Sequence, residues 1–162
     1  PMAQHVRIER PYGKAIRLLE IEVYNQNGAI ISSGKDVTGA PDAVNLDNLV
    51  DTFYIQDDVG TVTGTSAESP YIQIDLGSLQ QIGSIKIFKD TAEYPRQVPA
   101  GEVGTAVMIG DDSLKNATVK LLGADGTNVT AVTPMTNTEK KVAVYDFSAA
   151  TPAWAYMDEV DA

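Results

Sequence analysis

The chain contains no cysteine, which excludes disulfides, thiolate metal sites and cysteine nucleophiles. It contains one histidine, His5, close to the start of the sequence, where a surface position is expected. A catalytic triad needs a nucleophile, a base and an orienting acid, and no grouping in the sequence supplies one. No Gly-rich phosphate loop follows a strand pattern, and no His, Asp and Glu spacing matches a transition-metal site. No apolar run approaches the length of a membrane-spanning helix, so membrane insertion is not expected. The opening residues, Pro1 to Arg7, lack the apolar core of a secretory signal, which in a complete chain points to a reducing compartment. Positive charge is scarce as well: 12 Lys and Arg stand against 22 Asp and Glu, a net charge of −10. An acidic surface repels phosphate backbones, which argues against a nucleic-acid partner. Paired carboxylates remain as a route to glycoside hydrolysis. Asp57-Asp58 and Asp111-Asp112 are neighbours in sequence, but adjacency in a loop does not set the separation that chemistry needs. The expectation is a protein that is not an enzyme.

Hydrophobic residues are 43% of a chain of 162 residues, enough for one globular domain with its own core. Thirteen Gly and eight Pro, among many Val, Ile and Thr, favour β structure. Alternation locates the strands. Ile72, Ile74 and Leu76 alternate with Gln73 and Asp75. A second strand follows at Ile82 to Phe88, with Ile85 and Ile87 on one face. Upstream, the first thirty residues carry a β-hairpin signal. Val6 and Ile8 alternate with Arg7 and Glu9, Pro11-Tyr12-Gly13 makes a turn, and Leu19, Ile21 and Val23 alternate with Glu20, Glu22 and Tyr24. Residues 16–23 also partly fit a helical period, but the Glu-Ile-Glu-Val order and the following Asn27-Gly28 favour a strand. Asn27-Gly28 itself reads as a two-residue turn. Thr118 to Leu122, a turn at Asp125-Gly126, Asn128 to Val132, and Lys140 to Phe147 supply the later strands. Residues 33–68 and 90–117 are loop-rich, and loops of that length in a compact domain are usually functional or pinned by something. About eight short strands with turn signals between them predict an all-β antiparallel sandwich or jelly roll. Residues 1–147 form its single domain. Residues 148–162, with Trp154 and Tyr156, form a C-terminal tail that packs on the domain or reaches a partner.

Several segments together resemble the discoidin, or coagulation-factor type C, family of galactose-binding-like β-sandwiches. The central one is Ser69-Pro-Tyr-Ile-Gln-Ile-Asp-Leu-Gly-Ser78 running into Ile82-Gly-Ser-Ile-Lys-Ile-Phe88. Gly34-Lys-Asp-Val-Thr-Gly-Ala40 resembles the family's opening segment, and Leu49-Val-Asp51 stands where it writes Val-Asp-Gly. Asn116 to Gly126 resembles a later hairpin. His5 to Glu9 and Ile16 to Tyr24 resemble its closing strands, yet come first here. The order is therefore permuted, like that of algal and large algal-virus proteins. The chain departs from the pattern at Tyr71, where relatives carry Trp, at Thr52, where they carry Gly, and in about ten extra residues between Phe88 and Val119.

The resemblance implies a module that binds rather than catalyses. Its recognition loops match residues 45–58 and 89–104, which makes Tyr54, Tyr94 and Arg96 the candidate ligand-binding residues. Sugars bind by stacking on an aromatic ring while their hydroxyls pair with Arg, Asp or Asn. Tyrosines folded back over the end of the core are the alternative. Many relatives hold one structural calcium ion, and Asp51 and Glu20 match its position, with Thr61 or Thr63 as candidate hydroxyl donors. The alternative there is a loop of solvated acids. The sequons Asn116-Ala-Thr118 and Asn128-Val-Thr130 are short enough to arise by chance. The expected partners are a glycan or a protein surface, at an extracellular location or on a virion surface with neighbouring assembly chains. A structural subunit of a large virus, such as a minor capsid or surface protein, is the second reading.

Overall fold

The computed structural model describes residues 1–10, 16–39, 46–51, 61–62, 70–89, 93–95, 106–108, 117–131, 142–147 and 153–157. Eleven strands occur in it: β1 (Met2–Glu9), β2 (Arg17–Asn25), β3 (Asp36–Gly39), β4 (Thr61–Val62), β5 (Tyr71–Lys89), β6 (Glu93–Pro95), β7 (Ala106–Met108), β8 (Thr118–Leu122), β9 (Asn128–Ala131), β10 (Val142–Asp146) and β11 (Ala153–Met157). A 3-10 turn, Leu46–Val50, is the sole helical element among the described residues. The protein is all-β, and its strand pairs are antiparallel.

The architecture follows from β5. The alternating runs at Ile72–Leu76 and Ile82–Phe88 are not two neighbouring strands but one strand of 19 residues. Its first half lies between β3 and β1, in a sheet ordered β3-β5-β1-β8-β9. Its second half lies between β2 and β10, in a sheet ordered β4-β2-β5-β10-β11. The change of sheet starts at a bulge. On β1, Ala3 and His5 are separated by one residue, while their partners on β5, Gln80 and Asp75, enclose residues 76–79. Gly77 takes φ +88°, and its N–H donates to the Asp75 carboxylate at 2.8 Å. A Leu-Gly-Ser sequence that reads as a turn between strands is instead a local excursion that redirects one strand.

Register and burial agree. In the first sheet, Val6 sits between Ile74 and Leu121, and Ile8 between Ile72 and Val119. In the second, Ile21 and Ala143 flank Ile87, and Val23 and Tyr145 flank Ile85. All of these are buried and belong to one hydrophobic cluster, so the two inner faces meet as a sandwich core. A bulge between Leu18 and Glu20 turns Leu19 to the far face of the second sheet. There it joins Phe88 and Val142 in a small second cluster.

The opening hairpin expectation is corrected by this topology. β1 and β2 are both strands, but they pair with opposite halves of β5 and lie in different sheets. The turn at Asn27-Gly28 is also longer than two residues. Asn25 N–H donates to the Ala29 carbonyl at 2.9 Å, and Gly28, at φ +82°, closes the loop by donating to the Asn25 carbonyl at 3.0 Å. The Asn25 side chain accepts the Asn27 and Ala29 N–H groups as well. Beyond the turn, strand pairing reduces to a single bridge, Tyr24 to Ile30. The Asp125-Gly126 turn has the same three-residue form, with Gly126 at φ +81°. Hydrogen bonds from the Thr127 hydroxyl, chiefly, and from the Thr127 N–H hold the Asp125 carboxyl below its ordinary pKa. Ala153–Met157, within the C-terminal tail, pairs along β10 and extends the second sheet.

Candidate cleft at the strand crossover

Where β5 leaves the first sheet for the second, backbones approach closely. A Cβ at Gly83 would lie 2.6 Å from the Asn25 carbonyl oxygen and 3.1 Å from the Gln26 Cα. The Gly83 carbonyl accepts the Phe147 N–H at 2.9 Å, and Ile82 N–H donates to the Pro1 carbonyl at 2.8 Å. The glycine thus lets the end of β2, the middle of β5 and the end of β10 converge.

Around this junction opens a cleft of about 810 Å³, within the ~300–1,000 Å³ common for small-ligand sites. Its polar lining comes from Asn25 and Gln26 in the hairpin, Gln81 and Ser84 in β5, Thr130 in β9 and Asp146 in β10. Ile82, Val129, Val144 and Phe147 supply the apolar part. Ser84 and Asp146 are directly opposite each other on adjacent strands, with Tyr24 on the other side of Ser84. Cross-strand neighbours share a face, so these three form one polar row. Asp146 is exposed and is the one ionisable side chain among the described lining residues. The described lining therefore offers hydrogen-bond donors and acceptors with one carboxylate and no histidine, and Pro1 also borders it.

The outer face of the first sheet carries a second polar array. Glu9 accepts Arg7 Nε at 2.5 Å and Lys120 Nζ at 2.6 Å, and the Arg7 guanidinium lies 3.8 Å above the Tyr71 ring. Arg7 also donates to Gln73 at 3.1 Å. Burial alone raises the Glu9 pKa, but its bonds to Lys120 and Arg7, with their charges, outweigh that effect and hold it below the ordinary value. Beside this array, His5 departs from the surface position expected of it. Lying between β5 and β8, its side chain is 15% exposed, with Nδ1 3.9 Å from Asp75 Oδ1. The Gly77 N–H, chiefly, keeps Asp75 below its usual pKa. Arg7, Glu9, Lys120 and Gln73 satisfy one another and brace the sheet, whereas the buried His5 Nδ1 has no hydrogen-bond partner among the described residues.

Of the residues picked out in the sequence, some lie outside the described residues, and the calcium candidates sit on or beside three elements in mutual contact, β2, β4 and the 3-10 turn. Tyr54, Arg96 and Thr63 lie outside the described residues. Tyr94 is in β6, paired with Val107 of β7 in a separate two-stranded ribbon. For the calcium set, Asp51 follows the 3-10 turn, which packs against β2. Thr61 in β4 pairs with Leu18, whose side chain enters the main core. Glu20 is buried opposite Phe88 in the register. Among the described residues, no three His, Cys, Asp or Glu side chains come together as a metal set. None of the described helical segments is long and apolar enough to cross a membrane.

The cleft residues themselves went unnoticed in the sequence, because they come from five distant segments. One signal pointed there: Gly83, a lone glycine inside an alternating strand, which marks a close backbone approach. Searches of family models, curated proteins and solved structures find no match to this chain.

Proposed function

We propose that this chain is a non-catalytic, discoidin-like recognition module, and that it takes its ligand, a glycan or a protein surface, into the cleft at the β5 crossover. The observation that carries the reading is the lining: amide and hydroxyl side chains from three segments converge on one opening, with one carboxylate, Asp146, from a fourth. The resemblance in the sequence, to a family that binds, points the same way.

The test is a glycan array together with calorimetric titration, run with and without Ca²⁺, on the wild type and on Gln81→Ala and Asp146→Ala. Each substitution removes one or two hydrogen bonds to ligand, about 1–2 kcal/mol and so about 5- to 30-fold in affinity. Binding that ignores both substitutions but is lost in Tyr54→Ala or Arg96→Ala would move the site to the long loops. Dependence on Ca²⁺ that disappears in Asp51→Ala would establish the ion's role. No binding to any glycan or protein ligand overturns the proposal.

A further inference from the structure

The large apolar side chains exposed among the described residues are Met2, Ile30, Leu79 and Val129, each between 40% and 49% exposed. All four flank the cleft. Val129 lines it directly. Met2 is the cross-strand partner of Gln81, a lining residue, and Leu79 precedes Gln81 by two positions. Ile30 bridges to Tyr24, the cross-strand partner of the lining residue Ser84. Isolated exposed apolar residues need no explanation, but their concentration around one opening marks a contact surface. Val129 stands out in a second way. Leu121 and Leu122 are consecutive on β8, but their partners on β9 are Thr130 and Asn128, so Val129 falls in the register gap with no partner residue on β8. A bulge of this kind interrupts the ladder at the extra residue. Among the described residues, β9 is also the last strand of its sheet. One border of the cleft is thus an interrupted strand edge carrying an exposed aliphatic side chain.

Resting on the reading of the cleft as the ligand site, we infer that its occupant is an uncharged, extended segment of a partner protein. The segment's main-chain N–H and C=O groups meet the amides of Gln26 and Gln81, the hydroxyls of Ser84 and Thr130, and the strand edge at Val129. Its aliphatic side chains meet Met2, Ile30, Leu79 and Val129. A side-chain amide offers a donor and an acceptor together, the same pair that a peptide group presents. Recognition at strand edges divides the work in this way, with main-chain bonds giving affinity and side chains giving specificity. Charge does not select the ligand. Asp146 already interacts within its own chain, so the lining asks for no cation. A second copy of the chain is opposed by the net charge of −10 that each would carry. A sugar fits less well. The one aromatic side chain in the described lining, Phe147, is 2% exposed and presents no ring for stacking. Tyr24, beside the lining, has Lys86 over its ring at 5.5 Å from the centre. A border of four aliphatic groups suits peptide side chains better than hydroxyls.

The experiment is fluorescence anisotropy on the full chain with labelled eight-residue peptides. The reference peptide alternates Val and Leu with Thr, has blocked ends and carries no charge. Comparison peptides have a central Lys, a central Glu, Ser in place of Val and Leu, or N-methyl groups on alternate main-chain nitrogens. The expected result is binding of the reference peptide that is about tenfold tighter than of the Ser and N-methyl peptides and is insensitive to salt. The Lys and Glu peptides should bind no more tightly than the reference. Gln81→Ala should lower the reference affinity about 5- to 30-fold, and a Leu79→Ser, Val129→Ser double variant about tenfold. The double variant alters exposed positions, and unchanged circular dichroism and melting temperature verify the fold. Tighter binding of the Lys or Glu peptide, equal binding of the Ser or N-methyl peptide, or no effect of the double variant overturns the inference. Glycan binding that is lost in Gln81→Ala, without peptide binding, also overturns it while leaving the cleft as the ligand site. No binding of either class defeats both.

Discussion

Replacing Gly83 with alanine tests the crossover most directly. The new methyl carbon would sit 2.6 Å from the Asn25 carbonyl oxygen, 2.9 Å from its carbon and 3.1 Å from the Gln26 Cα. All three contacts are backbone, so no side-chain rotation relieves them. The end of β2 has to move away from β5, and the Phe147 N–H bond to the Gly83 carbonyl, 2.9 Å long, stretches as the strands adjust. Overpacking of this kind costs about 1–3 kcal/mol, and a weakened backbone hydrogen bond adds about 0.5–1.5 kcal/mol. The sum, about 2–4 kcal/mol, is a large share of the ~5–15 kcal/mol that keeps a domain folded. For a chain of this length it lowers the melting temperature by about 5–15 °C. Urea denaturation and a thermal melt measure the loss, and amide hydrogen exchange at Phe147 locates it. Gly77→Asn is the informative contrast. Gly77 has open space around its Cβ position but a φ of +88°, so its constraint is conformational, and asparagine tolerates that region. Gly77→Asn should cost about 1 kcal/mol or less, whereas Gly83→Asn should cost at least as much as Gly83→Ala. A melting temperature for Gly83→Ala within 2 °C of wild type, about the effect of ~1 kcal/mol or less, would refute the close approach.

Other consequences follow from burial and charge. Ser32 is 1% exposed, and its hydroxyl accepts the Val23 N–H at 2.9 Å, so Ser32→Ala leaves a buried donor unmet and should cost about 1–3 kcal/mol in urea unfolding. Ile74→Ala opens a cavity between Val6 and Val37, its neighbours in the sheet, and should cost about 2–5 kcal/mol by the same measure. Glu9 is held below its ordinary pKa, so it contributes stability above its unfolded value, near pH ~4.3, and loses it as pH falls through the lower folded value. Glu9→Gln should therefore flatten the acid limb of the stability profile below about pH 5. An unchanged limb in acid-titrated melts would show that Lys120 and Arg7 do not act on it.

Local structure was legible in the sequence where side-chain chemistry decides it. The Glu-Ile-Glu-Val order fixed residues 17–25 as a strand, because its apolar members had to share one face. Asn27-Gly28 and Asp125-Gly126 marked real turns, though each loop has three residues, since only the glycine takes positive φ. Pairing was another matter. Nothing local distinguishes a β1 that pairs with β2 from one that crosses to the other layer, and two alternating runs that read as adjacent strands also describe one continuous strand interrupted by a bulge. His5 looked exposed because it stands near the start of the sequence at the edge of a strand, but position between two strands decided its environment. The cleft was invisible for the same reason. Gln81, Thr130 and Asp146 are ordinary surface residues until the crossover brings them together.

Because Tyr71–Lys89 belongs to both layers, the two cannot slide past one another or separate like the covers of a book. Each is sewn to the other through a shared seam. Loosening the seam at its midpoint, beside the cleft, would be felt at once by both leaves, so a molecule bound in that cleft would also clasp the binding of the whole volume.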